Sequence, residues 1–96
     1  MRRTSYEHTQ QVTEHPIPSK MREDTIYLES EEGKPDQPNY LFILCPCGCQ
    51  TLIALPLKGK GWQISSTDPV TLTPSIYQRR SCGSHFFINQ NNVKWC

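Results

Sequence analysis

Cys45-Pro46-Cys47-Gly48-Cys49 places three thiols at alternate positions, directly after the apolar run at residues 41–44. A second cluster, Cys82-Gly83-Ser84-His85, follows later in the chain. Thiolate sulfur and imidazole nitrogen are the ligands that zinc prefers, and glycine in the first cluster permits the tight turn on which thiolates converge. The two clusters together predict a zinc site that joins two distant parts of one small domain.

The two clusters offer more ligands than one tetrahedral ion needs. The candidates are Cys45, Cys47, Cys49, Cys82 and His85. Four ligands close a structural zinc site, so one candidate is surplus, and the sequence does not identify which of the first three cysteines it is. A structural site is the default interpretation. An open fourth position could instead hold hydroxide served by Asp68 or Ser75, or a spare thiolate could act as a nucleophile.

Composition argues against a disulfide scaffold, a nucleic-acid-binding protein and a membrane protein. The chain has 96 residues and five cysteines, an odd number that, with no apolar leader, disfavours a disulfide scaffold. A formal net charge of +1 gives no reason to expect binding to nucleic acid or to an anionic membrane. No apolar run approaches the roughly 20 residues that span a bilayer. We therefore expect a cytoplasmic protein.

Short β-branched and aromatic runs separated by turn residues predict an all-β fold. Residues 1–16 are polar and aperiodic and predict a flexible tail, followed by a zinc-binding β domain at residues 17–96. We expect six or seven short strands in a zinc-stapled sheet or open barrel of zinc-ribbon or Rieske-like type. The expected strands lie at residues 25–30, 39–44, 51–57, 62–65 and 70–73, the last interrupted by Pro74, with a closing hairpin at residues 86–95.

Two other chemistries can be weighed from the same residues. Cys82 and His85 fit the C-x-x-H turn of a Rieske iron–sulfur protein, but Cys47 stands where the first turn requires histidine. A Rieske-like electron carrier is therefore an alternative, as is a Rieske-like fold that holds zinc. No histidine–carboxylate partnership for Ser75 or Ser84 is legible in the sequence, so a serine triad is not indicated.

The order of motifs resembles a bacterial family, the domain-of-unknown-function family numbered 6527. Its pattern runs C-x-C-G-C, Trp, S/T-L-x-P-S-I, C-x-S-H-[YF]-[WF]-I and V-x-W, and the resemblance covers residues 17–96. Gln50 replaces a usual glycine, and Tyr77-Gln78 replaces Gly-Asn. The matching segments are Cys45 to Cys49, Trp62, Thr71 to Ile76, Cys82 to Ile88 and Val93 to Trp95.

The resemblance implies a function that the residues alone do not. Such proteins are encoded with ubiquitin-like proteins and E1- and E2-like enzymes in bacterial conjugation or antiviral operons. The implied activity is a zinc-containing peptidase that processes or removes the ubiquitin-like modifier. The implied site comprises the five metal-ligand candidates and Ser75 as a catalytic candidate. A non-catalytic, zinc-stabilised module that binds protein partners is the alternative.

Overall fold

The fold consists of two four-stranded β-sheets, as expected for an all-β protein. The computed structural model describes residues 2–59, 61–79 and 81–96. The strands are β1 (His8–Val12), β2 (Thr25–Glu29), β3 (Tyr40–Leu44), β4 (Leu52–Pro56), β5 (Gln63–Thr67), β6 (Val70–Tyr77), β7 (His85–Asn89) and β8 (Asn92–Trp95). A three-residue 3-10 turn, Pro18–Lys20, accompanies them. Across the described residues, no helix is long and apolar enough to cross a membrane.

The first sheet has the order β1-β2-β3-β4 and is covered on both faces. Its inner face contributes residues such as Ile26 and Ile43 to the main core, while Tyr27 and Phe42 join a second apolar cluster on the other face. A strand buried on both faces needs a continuous apolar sequence, which is what β3 has. The cysteine turn therefore extends from a strand that is buried on both faces.

The second sheet has the order β5-β6-β7-β8 and covers the first with one face only. Val70, Leu72, Ile76, Phe86 and Ile88 point inward and are almost completely buried. Side chains alternate along a strand, so the intervening residues of β6 and β7 lie on the outer face. This outer face is where the second sheet meets solvent.

Pro74 does not end β6, contrary to the sequence expectation. The strand continues to Tyr77, and its register with β7 shifts between Leu72 and Ile76. Proline has no N–H to donate to the ladder, so a local irregularity accommodates it while the strand resumes beyond. The predicted β7–β8 hairpin is present, with Gln90 and Asn91 at φ of 50° and 63°.

The amino-terminal segment is structured, so the prediction of a flexible tail for residues 1–16 was wrong where the structure describes them (Met1 lies outside that part). β1 pairs in parallel with β2, and Tyr6 is 2% exposed. The backbone of Arg3 donates to the Pro46 carbonyl at 2.7 Å, and Trp95 Nε1 donates to the Arg3 carbonyl at 2.9 Å. A single buried tyrosine and backbone hydrogen bonds hold this segment in place, and it has no apolar face. Its polar sequence therefore shows no periodic pattern from which a strand could be predicted.

Tyr6 Oη donates a hydrogen bond to the Leu44 carbonyl at 2.8 Å. Burial raises the pKa of Tyr6 above its ordinary value, so the hydroxyl stays neutral and donates. Tyr6→Phe should leave that carbonyl short of a partner and lower the free energy of unfolding by about 1 kcal/mol. Urea unfolding measures this loss. The control is the loss of unfolding free energy in Tyr40→Phe, because Tyr40 is 37% exposed. Equal losses in the two variants would contradict the assigned hydrogen bond.

Candidate functional site

The two cysteine turns come together at one end of the domain. Cys45 Sγ lies 3.5 Å from Cys47 Sγ and 3.4 Å from Cys82 Sγ. The sulfurs of Cys45, Cys47, Cys49 and Cys82 all lie within 4.8 Å of one another. The first three come from the β3–β4 turn, and Cys82 comes from the β6–β7 loop, so the cluster links the two sheets as the sequence predicted.

Backbone hydrogen bonds shape both turns. Cys45 N–H donates to the Thr51 carbonyl at 2.9 Å, and Gly48, at φ 95°, donates to the Cys45 carbonyl at 3.2 Å. In the second loop, the Gln78 carbonyl accepts from Gly83 N–H at 2.8 Å. Glycine supplies the positive φ that the first turn needs to bring its thiols to one side.

A buried serine lies between the thiols. Ser84 is 5% exposed, and its Oγ is 3.1 Å from Cys82 Sγ and 3.6 Å from Cys45 Sγ. Hydrogen bonding with Ser84 lowers the pKa of Cys82 to about 6 and also lowers the pKa of Cys47. Burial raises the pKa of Cys45 to about 12. The site therefore favours thiolate at its exposed side and disfavours an uncompensated charge at its buried side.

The donor set fits a structural metal ion. Tetrahedral zinc with bonds of about 2.3 Å places its sulfur ligands about 3.8 Å apart, close to the measured separations of Cys45 from Cys47 and Cys82. Thiolates this close repel one another, and a divalent cation neutralises that charge. The four cysteines can therefore hold a metal ion, and their chemistry suits zinc.

His85 lies apart from this group, although the sequence analysis placed it among the ligands. All four cysteines converge, so the candidate that lies outside the group is His85 and not one of the first three thiols. A Rieske centre requires both cysteine and histidine ligands, and the group contains no histidine. The geometry therefore disfavours the Rieske alternative. Cys96 is exposed and is not in the group either.

His85 instead meets Ser75. Its Nε2 lies 2.8 Å from Ser75 Oγ, at a half-buried position. With the ring proton on Nδ1, Nε2 accepts a hydrogen bond from the serine hydroxyl, a geometry that nucleophiles and their general bases also adopt. No histidine–carboxylate partnership for Ser75 was legible in the sequence, and the structure brings a histidine to this serine.

The strand pairing explains the contact. β6 and β7 are antiparallel, with Tyr77 opposite His85 and Ile76 opposite Phe86. Ser75 is two residues from Tyr77, so both side chains and His85 lie on the outer face. Tyr77 stacks on the His85 ring with centroids 4.9 Å apart, and Trp62 Nε1 donates to the Ser75 carbonyl at 3.3 Å. Neighbouring aromatic residues thus hold both members of the pair.

The pair has no third member of the usual kind among the described residues. No carboxylate within that part of the chain hydrogen-bonds to His85 Nδ1, which distinguishes the arrangement from a Ser-His-Asp triad. Asp68 lies in the turn before β6, at the opposite end of that strand from Tyr77. A serine–histidine dyad supported by aromatic packing describes the site.

Comparison with known proteins identifies the family. Residues 13–96 match the model of the bacterial ubiquitination-like system serine protease family, BubE, and the chain belongs to that family. The match supports the expected role in a ubiquitin-like pathway. The matching family model carries this description and not the numbered family name given in the sequence analysis. No curated protein and no solved structure gives a significant match.

Proposed function

We propose that this member of the family is a serine peptidase that cleaves at the carboxyl terminus of a ubiquitin-like modifier. Ser75 is the nucleophile and His85 is the general base. The observation that carries the proposal is the 2.8 Å contact between Ser75 Oγ and His85 Nε2 on the outer face of the second sheet. The family's description as a serine protease supports the same chemistry.

The reaction uses the two residues in turn. Ser75 Oγ attacks the scissile carbonyl carbon as its proton passes to His85 Nε2. The imidazolium then gives that proton to the departing amine, the C–N bond breaks, and an acyl ester remains on Ser75. His85 next takes a proton from a water molecule, whose oxygen attacks the ester and releases the acid. The proton returns to Ser75, so the enzyme is unchanged.

The aromatic neighbours take over part of the role that a carboxylate has in a triad. The face of Tyr77 restricts rotation of the His85 ring, and Trp62 anchors the Ser75 backbone. Pre-positioning of this kind lowers the barrier because the reacting groups need no further ordering in the transition state. The His85 backbone is also tied to the last residue, since Cys96 N–H donates to its carbonyl at 2.9 Å.

We assign the metal-binding role to Cys45, Cys47, Cys49 and Cys82, with zinc as the ion. When bound, zinc supplies structural cross-linking, because four thiolates leave no position for a water molecule. Cys82 lies in the β6–β7 loop, three residues before His85, which is the first residue of β7. Ordering of that loop through Cys82 and Ser84 thus fixes the beginning of β7, from which His85 reaches Ser75.

Labelling with a fluorophosphonate tests the proposal directly. The reagent esterifies serines that an adjacent base activates. We expect one adduct, mapped by peptide mass spectrometry to Ser75. The same preparation should shorten the precursor of the ubiquitin-like protein of its own system by the mass of its carboxyl-terminal extension. Absence of both the adduct and the mass change in a folded, metal-loaded protein would contradict the proposal.

A further inference from the structure

A groove adjoins the Ser75–His85 pair on the outer face of the second sheet. It has a volume of about 270 Å³ and is formed by β6, β7 and β8. Thr73 and Phe87 line it nearest the pair, and Asn89 and Lys94 line it further away. Phe87 is 42% exposed although it is fully apolar. An exposed aromatic side chain beside a catalytic pair is typical of a substrate subsite.

The strands that form this face carry few ionisable residues. Lys94 and His85 are the only ionisable basic residues in β5, β6, β7 and β8, and these strands contain no aspartate or glutamate. Lys94 is exposed and forms no ion pair with any carboxylate of the described residues. The groove therefore offers an apolar wall and a single unneutralised ammonium group. Its complement is an apolar segment that carries one negative charge.

The strand register gives the distance over which such a ligand extends. Phe87 pairs with Lys94, and the shifted register between Leu72 and Ile76 places Ser75 across from the Phe87 region. β6 and β8 are separated by β7, so their backbones lie about 10 Å apart. An extended peptide advances about 3.3 Å per residue. About three residues therefore span the distance from a carbonyl at Ser75 to the backbone at Lys94. One or two residues also suffice, because the long, flexible Lys94 side chain can reach toward the pair.

We propose that this groove binds the free carboxyl terminus of a short extension, one to three residues long, that follows the scissile bond. Lys94 pairs with the terminal carboxylate, and Phe87 contacts the side chain of the extension. The inference rests on the proposed peptidase function and specifies its substrate as a precursor with a short, apolar extension. The enzyme then trims precursors from their free end and discriminates against long extensions, whose carboxylate lies beyond Lys94.

The chemistry of the step is that of the dyad, with Lys94 as a positioning residue. The leaving group is the short peptide, whose new amine receives the proton from His85 and whose carboxylate remains paired with Lys94. A charge-assisted hydrogen bond to a fixed group aligns the scissile carbonyl with Ser75. Removal of either charge misaligns the bond without altering the nucleophile or the base.

Semisynthetic precursors of the ubiquitin-like protein test the inference. Their extensions have one, two, three or eight residues and end in either a carboxylate or an amide. We expect the carboxylate form of the short extensions to be cleaved about tenfold faster than the amide, which is the lower range for one charged hydrogen bond. The difference should vanish for the eight-residue extension, and kcat/KM is the measurement.

Variants separate a specific role of Lys94 from general effects. Lys94→Met should abolish the difference in kcat/KM between the carboxylate and amide forms, and Lys94→Arg should retain that difference. Lys58→Met is the matched control, since Lys58 is also exposed but lies in the turn after β4. Circular dichroism confirms that each variant folds.

The outcomes distinguish the inference from the proposed function. Ser75-dependent cleavage at equal rates for acid and amide overturns the Lys94 subsite and leaves the peptidase intact. Retention of the preference in Lys94→Met overturns the subsite as well. If folded, metal-loaded protein cleaves none of the precursors, both the peptidase function and the subsite fall.

Discussion

Ser75→Ala is expected to lower kcat/KM for cleavage of the modifier precursor by at least about a thousandfold, the scale of losing a catalytic-triad member. In the proposed reaction the Ser75 hydroxyl forms the bond to the substrate, and no other serine of the described residues hydrogen-bonds to the His85 ring. The loss should appear in kcat, since groove contacts that bind the peptide remain. Intact-mass analysis of the precursor over time measures the rate.

The same contact predicts the effect of replacing His85, and an exposed serine elsewhere provides the control. His85→Gln should lose a similar factor, and the double variant should be little worse than either single one, because the two residues act as a unit. Ser65→Ala, at an exposed position of β5, should keep full activity. All variants should unfold at similar urea concentrations. If Ser75→Ala cleaves as fast as the original chain, Ser75 is not the nucleophile. If the folded original chain cleaves nothing, the zinc-stabilised binding module becomes the better interpretation.

The sequence predicted the fold class because local chemistry determines it. Continuous apolar residues in β3 and the cysteine turn after it indicate a buried strand and a ligand hairpin. Asn91 and its neighbour indicate the β7–β8 turn through their tolerance of positive φ. Each of these signals is contained in a few adjacent residues, so no knowledge of distant contacts is required.

The missed features depend on distant contacts. β1 is polar, and its place in the sheet depends on Tyr6, whose hydroxyl reaches Leu44 from far along the chain. Eight strands form where six or seven were expected, in part because of this segment. A polar pattern by itself is compatible with both a tail and an edge strand, so the sequence could not distinguish them.

The assignment of His85 shows the same limit at the site. Cys82-Gly83-Ser84-His85 has the spacing of a ligand turn, and the spacing is equally compatible with a histidine that begins a strand. Register decides between the two, and here the register includes an irregularity beside Pro74. Ser75 and His85 are ten residues apart, a spacing that is compatible with two antiparallel strands joined by a loop. Only the pairing of Tyr77 with His85 converts it into a contact.

Removal of the metal should unfold the domain. Structural zinc contributes about 10–16 kcal/mol of binding free energy in zinc-finger peptides, which equals or exceeds the roughly 5–15 kcal/mol that stabilises a typical domain. Cys45→Ser should have the same effect, because Cys45 is 4% exposed and contacts both Cys47 and Cys82. Metal content by mass spectrometry and thermal unfolding by circular dichroism measure the losses, with the exposed Cys96→Ser as the control. A metal-free protein that unfolds at the same temperature would contradict a structural role.

The metal content of His85→Gln decides between the two assignments of that histidine. If His85 were a ligand, the variant would lose affinity for zinc and stability together with activity. If it is the general base, the variant should bind one zinc ion per chain, unfold at nearly the original temperature and still fail to cleave. Cys82→Ser provides the comparison, since it removes a ligand three residues away and should release the metal. Loss of zinc from His85→Gln would return the imidazole to the metal site and leave Ser75 without its base. Retention of zinc with loss of cleavage would separate the cysteine cluster, which holds the loop in place, from the dyad, which performs the reaction.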